Sequence, residues 1–453
     1  MKLAILLFLA SFSSQLDCSA SNVHITLGDY FSDRRQAVTF RVGVMLNSSK
    51  CQKKLRLHYL APSGEKLEFE PSECRDYSLP KGDYERTFCF FDLEELPDAG
   101  EFFYSIALDR NLVKGPFSFK SKVYEGPDLS IVTFGDHDLA FGKDTIDRLA
   151  KTDYDLLVMV GDIAYDIEDE NGLRGDRYFE EMERFFATRP VVIIAGNHEN
   201  IDKGRMFASR FKYPMSATPD ENSVIAFSVG QLLFFGVNFD FAIQLHEEKY
   251  FETLQRLQNE LHRLTSAFPS YRRVFFAHRP FVRANQKEKM YEAHSLIHRL
   301  KPFEDLVHRF DVKFHLFGHV HSYERYSFVF NYEIEKNGDS AIAIVGSGGN
   351  HEVRDGYKFP QPFVQKAIFL TPEFLLVQSK GTFLVCSFIE SKTGNVLDRF
   401  NLQKSITSGN KLVLFAYLLG LGLTVSLAGS VLHGRMRKSR LYSDYRTEQE
   451  SMV

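Results

Sequence analysis

The sequence predicts a β-sandwich, then an α/β sandwich of sheets flanked by helices, then a single C-terminal membrane-spanning helix. Three observations predict it. Short alternating apolar stretches run to about Tyr124, apolar strand-like runs alternate with amphipathic helical ones from Asp128 to Gln403, and an uncharged apolar run spans Leu412 to Leu432. The chain has 453 residues, 44% of them hydrophobic, which is enough for more than one core. A formal net charge of -4 gives no basic field of the kind that concentrates nucleic acid, so no nucleic-acid partner is expected. Five cysteines are too few for a scaffold built on disulfides.

At the start, Met1-Lys2 precede LAILLFLASF and small polar residues up to Ala20. A charged start, an apolar stretch and a small-residue exit read as a secretory signal peptide over 1–20, cut near Ser19 or Ala20. At the other end, 412–432 is long enough to cross a bilayer as a helix, for which about 20 apolar residues suffice. Arg435, Arg437, Lys438 and Arg440 follow it, the positive flank of a cytosolic tail over 433–453. The expected protein is a single-pass type I membrane protein of the secretory pathway, with residues 21 to 410 extracellular or lumenal. In this reading Cys18 leaves with the leader, and at most one bridge forms among Cys51, Cys74 and Cys89, the pair left open. Asn47-Ser48-Ser49 is a glycosylation acceptor.

Between these ends lie two modules. Over 21–124, stretches such as AVTFRVGVML, KLRLHYL and EFFYSIAL are separated by Gly, Pro, Asp and Ser clusters, and no His or carboxylate cluster marks chemistry. Over 128–403, LSIVTFGD, DTIDRLAKTD, YDLLVMVGD, RYFEEMERFFAT and PVVIIAGNHE alternate strand with helix, so the strands are buried on both faces. A ligand crevice belongs at the carboxyl ends of such strands.

Five of those ends carry groups able to bind a metal: Gly135-Asp136, Gly161-Asp162 with Tyr165, Gly196-Asn197-His198-Glu199, Ala277-His278, and Gly318-His319-Val320-His321. Each has a duller reading, a turn or a satisfied histidine, but their recurrence at one structural place is the signal. Mixed oxygen and imidazole ligands suit Zn, Mn and Fe. Two ions sharing a bridging carboxylate need about seven ligands, and Asp136, Asp162, Tyr165, Asn197, His278, His319 and His321 supply them. Glycine before four of the five groups lets the backbone approach an ion closely.

With GDIAYD, GNHE, AHRP, GHVHSYER and GSGGNHE in this order, the chain resembles the metallophosphoesterases and, among them, the long animal-type purple acid phosphatases. The resemblance implies a metallophosphoesterase α/β sandwich over 128–403 and a fibronectin-III-like accessory β-sandwich over 21–124. It implies a ferric ion on Asp136, Tyr165 and His321, a divalent ion (Fe, Zn or Mn) on Asn197, His278 and His319, and Asp162 bridging the two. His198 would face the substrate phosphate. Asp138 stands where the family motif has glycine, which leaves a second-shell role or an altered metal set open. Lys287 and Glu288 stand where plant enzymes have paired histidines, so His294 either replaces those or is a surface residue. Arg279 and Tyr323 are expected near the site, Arg279 to attract phosphate or face solvent and Tyr323 to line the pocket. Glu324 and Arg325 are expected to pair structurally.

The implied activity is that of an acid phosphatase, in which metal-activated hydroxide attacks phosphorus in line on small phosphorylated substrates or phosphoproteins. The alternatives are a nucleotide or phosphodiester hydrolase using Mn or Zn, and a membrane-tethered binding protein with a vestigial phosphatase domain.

Overall fold

A computed structural model of the chain describes residues 18–403, except 33–34, 61–62, 81, 94–100, 110, 121–127, 201, 214–222, 245–246, 283–289, 332, 336–339, 352–362, 370–371 and 381–382. The expected apolar leader core, the span at 412–432 and the tail at 433–453 lie outside the described residues. Among the described residues no helix is long and apolar enough to cross a membrane.

The first module is two four-stranded antiparallel sheets. One runs in the order β1 (Ala20–Ser32), β2 (Arg35–Leu46), β6 (Glu85–Leu93), β5 (Glu73–Ser78). The other runs β4 (Lys66–Phe69), β3 (Leu55–Leu60), β7 (Glu101–Leu108), β8 (Asn111–Lys120). Alternation sorts the side chains: in β3, Leu55, Leu57 and Tyr59 are buried while His58 is exposed. The sheets meet through aromatic rings, with Phe40 of β2 lying 5.1 Å from Phe119 of β8. Two disulfides staple the module, Cys18–Cys51 and Cys74–Cys89, the latter between facing residues of β5 and β6. This corrects two expectations. Cys18 belongs to the folded chain instead of leaving with a leader, and two bridges form rather than one. Ser19 leads into β1, which opens at Ala20. Cys386 is buried and free.

The second module packs two sheets face to face. The six-stranded sheet runs β11 (Val191–Ile193), β10 (Leu156–Met159), β9 (Leu129–Phe134), β21 (Glu373–Lys380), β22 (Phe383–Glu390), β23 (Val396–Gln403). The seven-stranded sheet runs β12 (Val224–Val229), β13 (Leu232–Val237), β14 (Arg272–Ala277), β15 (Phe314–Phe317), β19 (Ala341–Val345), β16 (Tyr323–Ser327), β20 (Val364–Ile368). A small ribbon pairs β17 (Val329–Phe330) with β18 (Glu333–Ile334). The helices are α1 (Lys143–Leu149), α2 (Leu173–Phe186), α3 (Arg205–Arg210), α4 (Phe239–Gln244), α5 (Glu247–Ala267) and α6 (Met290–Arg309). Strands β9 to β11, and β13, β14, β15 and β19, are parallel, and their side chains are almost all buried. The period of two divides the core. Phe234, Val274, Phe276, Phe314 and Leu316 face the six-stranded sheet, while Phe235, Phe275 and Phe317 pack on α5 and α6 through Leu257, Leu261 and Phe303.

Residues 1 to 404 cluster as one compact unit, and the joint between modules is polar and buried. Helix α2 presents Asp176 and Glu183, two turns apart on one face. Arg210 of α3 is 2% exposed and pairs with Asp176. It also donates to Tyr84 Oη (2.7 Å) and Asn22 Oδ1 (2.8 Å) of the first module. Glu183 accepts from the Val23 amide (3.0 Å) and Lys114 (2.8 Å).

A second acidic feature lies at this joint. Tyr77 of β5 donates to Asp202 Oδ2 (2.5 Å), while both Glu168 oxygens and Asp202 Oδ1 are buried without a hydrogen-bond partner. Burial first, then the Asp202 charge, pushes the Glu168 carboxyl up to about 8 from its ordinary 4.5. A raised carboxyl is favoured protonated in the fold. Its contribution is therefore complete below about 4.5 and is lost as pH climbs toward 8. Glu168→Gln, which stays neutral, is expected to raise the thermal midpoint at pH 8 and leave it unchanged at pH 4. A midpoint difference that does not grow between those pH values contradicts the assignment.

Candidate metal centre

Both sheets deliver residues to one place. Asp136, Asp162 and Asn197 follow β9, β10 and β11, and His278 and His319 follow β14 and β15, all at carboxyl ends. The turns are tight. Asp136, Asp162, Tyr165 and His319 have φ of 58°, 52°, 50° and 68°, left-handed conformations that cost non-glycine residues about 1–3 kcal/mol each and that cluster at functional sites. Glycine is required beside them, since a Cβ on Gly196 would lie 2.2 Å from Asp162 Oδ1.

The donors fall into two adjoining sets. In the first, Tyr165 Oη lies 3.0 Å and Asp136 Oδ1 lies 3.3 Å from His321 Nε2. In the second, His278 Nε2 lies 3.0 Å from Asp162 Oδ2 and 3.1 Å from Asn197 Oδ1, and atoms of Asp162, His278 and His319 all fall within 4.8 Å of one another. Asp136 Oδ2 joins the sets by accepting from the His319 amide (2.9 Å). Asp136, Asp162, Tyr165 and His278 are at most 1% exposed.

His278 Nδ1 faces the Val160 carbonyl at 2.8 Å, so its proton belongs there and Nε2 turns a lone pair toward two oxygens. Three acceptors converging in a dry site need positive charge at their centre. Without an ion the imidazole itself must carry it: burial opposes this, yet the Asp162 charge and hydrogen bond push His278 up to about 9. Asp136 Oδ1 is buried, with His321 Nε2 3.3 Å away, a second atom suited to a cation.

Around this core the structure adds residues that sequence reasoning left without a role. Asp166, in the GDIAYD run, holds His198 Nδ1 at 2.8 Å, and the His198 ring lies 4.5 Å from Tyr165. Glu199 accepts from the amides of Asp162 (2.9 Å), Ile163 (2.8 Å) and Gly196 (2.7 Å), clamping together the loops that carry Asp162 and Asn197. The adjacency of these residues to ligands in their motifs was the available signal. Asp240 had none; it accepts from Arg279 Nε at 2.9 Å, and Arg279 Nη1 donates to His319 Nε2 at 3.0 Å. Arg279 is thus held beside the candidate ligand His319 instead of facing solvent.

Two expectations need correction. Tyr323 does not line the site: it is fully buried, stacks on Phe388 at 3.6 Å and donates to Asp398 (2.9 Å), because its strand runs back into the space between the sheets. Arg325 pairs with Asp398 (2.7 Å) while Glu324 accepts from Ser322 (3.1 Å) and Tyr326, since successive strand residues point to opposite faces. The Asp138 carboxylate accepts from the Ala140 amide (2.7 Å) as a turn cap. Residue 294 is helical within α6, and its side chain lies outside the described residues.

Residues 122–323 match the family model described as Calcineurin-like phosphoesterase. Its curated relatives are acid phosphatases. It is 26% identical over 281 residues to acid phosphatase type 7 of Danio rerio, covering 55% of this chain and 62% of that protein. It is 26% identical over 272 residues to purple acid phosphatase 15 of Arabidopsis thaliana, covering 51% and 48%. The chain spans less than two thirds of either relative's length. The structure of purple acid phosphatase PPD1 from yellow lupin (Lupinus luteus) seeds shares the fold, with a TM-score of 0.69 over 85% of this chain and 74% of that one, at 14% identity.

Proposed function

We propose that the protein is a binuclear metal-dependent acid phosphatase hydrolysing phosphomonoesters. The observation that carries this reading is the pair of adjoining donor sets at the strand ends. Asp136, Tyr165 and His321 would hold a ferric ion, Asn197, His278 and His319 a divalent ion, and Asp162 would serve both. When bound, the ions acidify water and neutralise charge on the phosphoryl oxygens. The chain's own groups do the remaining work. The Val160 carbonyl fixes the His278 tautomer, Glu199 holds the ligand loops in register, and Asp166 orients His198 so that Nε2 is the nitrogen left for a leaving-group oxygen. Proton donation from such a group typically contributes 10²–10⁴-fold in rate.

Two disulfides suit an oxidising compartment. With a leader ending ahead of Cys18 and a span at 412–432, the site would be lumenal or extracellular, and exposed Asn47 would be open to glycosylation. The test is a substrate panel with a visible spectrum on the purified protein. Monoesters are expected to be cleaved at mildly acidic pH by a coloured protein, the colour coming from the Tyr165 phenolate on ferric iron. A colourless, iron-free and fully active preparation removes the ferric assignment, and cleavage of diesters alone removes the monoester reading.

A further inference from the structure

The proposed reaction leaves unused a histidine that the fold sets beside the metal ligands. His351, from the GSGGNHE run, is exposed, and its ring lies 5.2 Å from that of the buried ligand candidate Tyr165. On its other side, 6.1 Å away, is Phe141, 54% exposed although large and apolar. Three rings thus lead from the buried donor set to solvent, and His198 flanks the same tyrosine at 4.5 Å. No hydrogen bond ties the His351 ring to another described residue.

The placement is enforced by backbone. The Asp138 amide donates to the Gly349 carbonyl (2.7 Å), the Gly348 amide to the Gly135 carbonyl (3.0 Å), and Thr145 Oγ1 to the Gly348 carbonyl (2.8 Å). Gly349 has φ of 112°, and a Cβ there would lie 2.7 Å from both Gly142 Cα and the Phe141 carbonyl oxygen. The loop that carries His351 and the loop that carries Phe141 are therefore locked together.

We propose that His351 is a substrate-contacting residue and Phe141 a specificity-determining one, selecting aryl phosphomonoesters. An imidazole keeps an N–H donor in either protonation state, and the one on His351 hydrogen-bonds a phosphoryl oxygen while Phe141 covers the aromatic leaving group. The inference rests on the phosphatase reading and assigns its second substrate-facing imidazole to the 346–351 loop.

The test compares His351→Ala, His351→Gln and Phe141→Ala in the full chain, using an aryl and an alkyl phosphomonoester and inhibition by inorganic phosphate. His351→Ala is expected to lower kcat/KM for both substrates about 10-fold or more, the range of a hydrogen bond to a charged group, and to weaken phosphate inhibition. His351→Gln, which restores a donor, should recover part of both. Phe141→Ala is expected to raise KM about 3- to 10-fold for the aryl ester only, the range of a ring stack, with kcat and phosphate inhibition unchanged. Native kcat/KM and native phosphate inhibition in His351→Ala overturn the histidine assignment, and equal KM changes for both esters in Phe141→Ala overturn the specificity. If the unaltered protein cleaves neither ester, the phosphatase reading falls first and takes this inference with it.

Discussion

Asp162→Asn is expected to lower phosphomonoester turnover roughly 10³-fold or more, the kinetic equivalent of the several kcal/mol that bound ions contribute to the transition state. Metal content should fall with it. Asp162 is 1% exposed and uses both oxygens, Oδ2 toward His278 (3.0 Å) and Oδ1 as acceptor from the His198 amide (2.9 Å). Asparagine keeps the shape and can keep the His198 contact, but it removes the charge proposed to serve both donor sets. The substitution therefore separates charge from packing: thermal unfolding of the variant should remain cooperative while metal binding is lost. Native metal content and native turnover in this variant would contradict the proposed centre.

Arg210→Ala is expected to destabilise the fold by roughly 3–5 kcal/mol, the usual consequence of removing one partner of a buried ion pair. Asp176 loses its most buried partner, Tyr84 and Asn22 each lose a donor, and the rings of Phe88 and Phe179, at 5.2 and 5.0 Å, lose a cation. Arg86, 3.0 Å from Asp176, stays and keeps the loss from being larger. Because the network joins the modules, both should unfold together at a lower denaturant midpoint. Adding Asp176→Asn to the variant should cost less than the sum of the two single changes, since the stranded charge is then gone. An unchanged midpoint in the single variant would show that the joint does not depend on this pair.

Legibility followed sequence distance. Asp136, Asp162, Asn197, His278 and His319 announce themselves because a parallel strand ends in a polar group, a local pattern repeated five times and four times with glycine just before it. Tyr165 and His321 stand in the same runs, but the left-handed turns that bring them to one place are not local statements, and the division of all seven residues between two ions came from resemblance. Asp240 and Arg279 are separated by 39 positions, and Arg210 and Asn22 by 188, so no window of sequence pairs them. Cys18 misled for a physical reason: a cysteine among small polar residues after an apolar run has the composition of a leader's exit and of a strand's approach alike. Tyr323 misled through its neighbours, since proximity to GHVH in sequence does not carry across the reversal into β16.

The strand ends are proposed to hold two metal ions used to hydrolyse phosphate esters. The most direct measurement is metal stoichiometry of the purified protein, taken together with phosphomonoester hydrolysis before and after chelation and after restoring iron and a divalent ion. Two ions per chain, activity lost on chelation and regained on restoration, is the predicted result. Undiminished hydrolysis by protein stripped of both ions would contradict it.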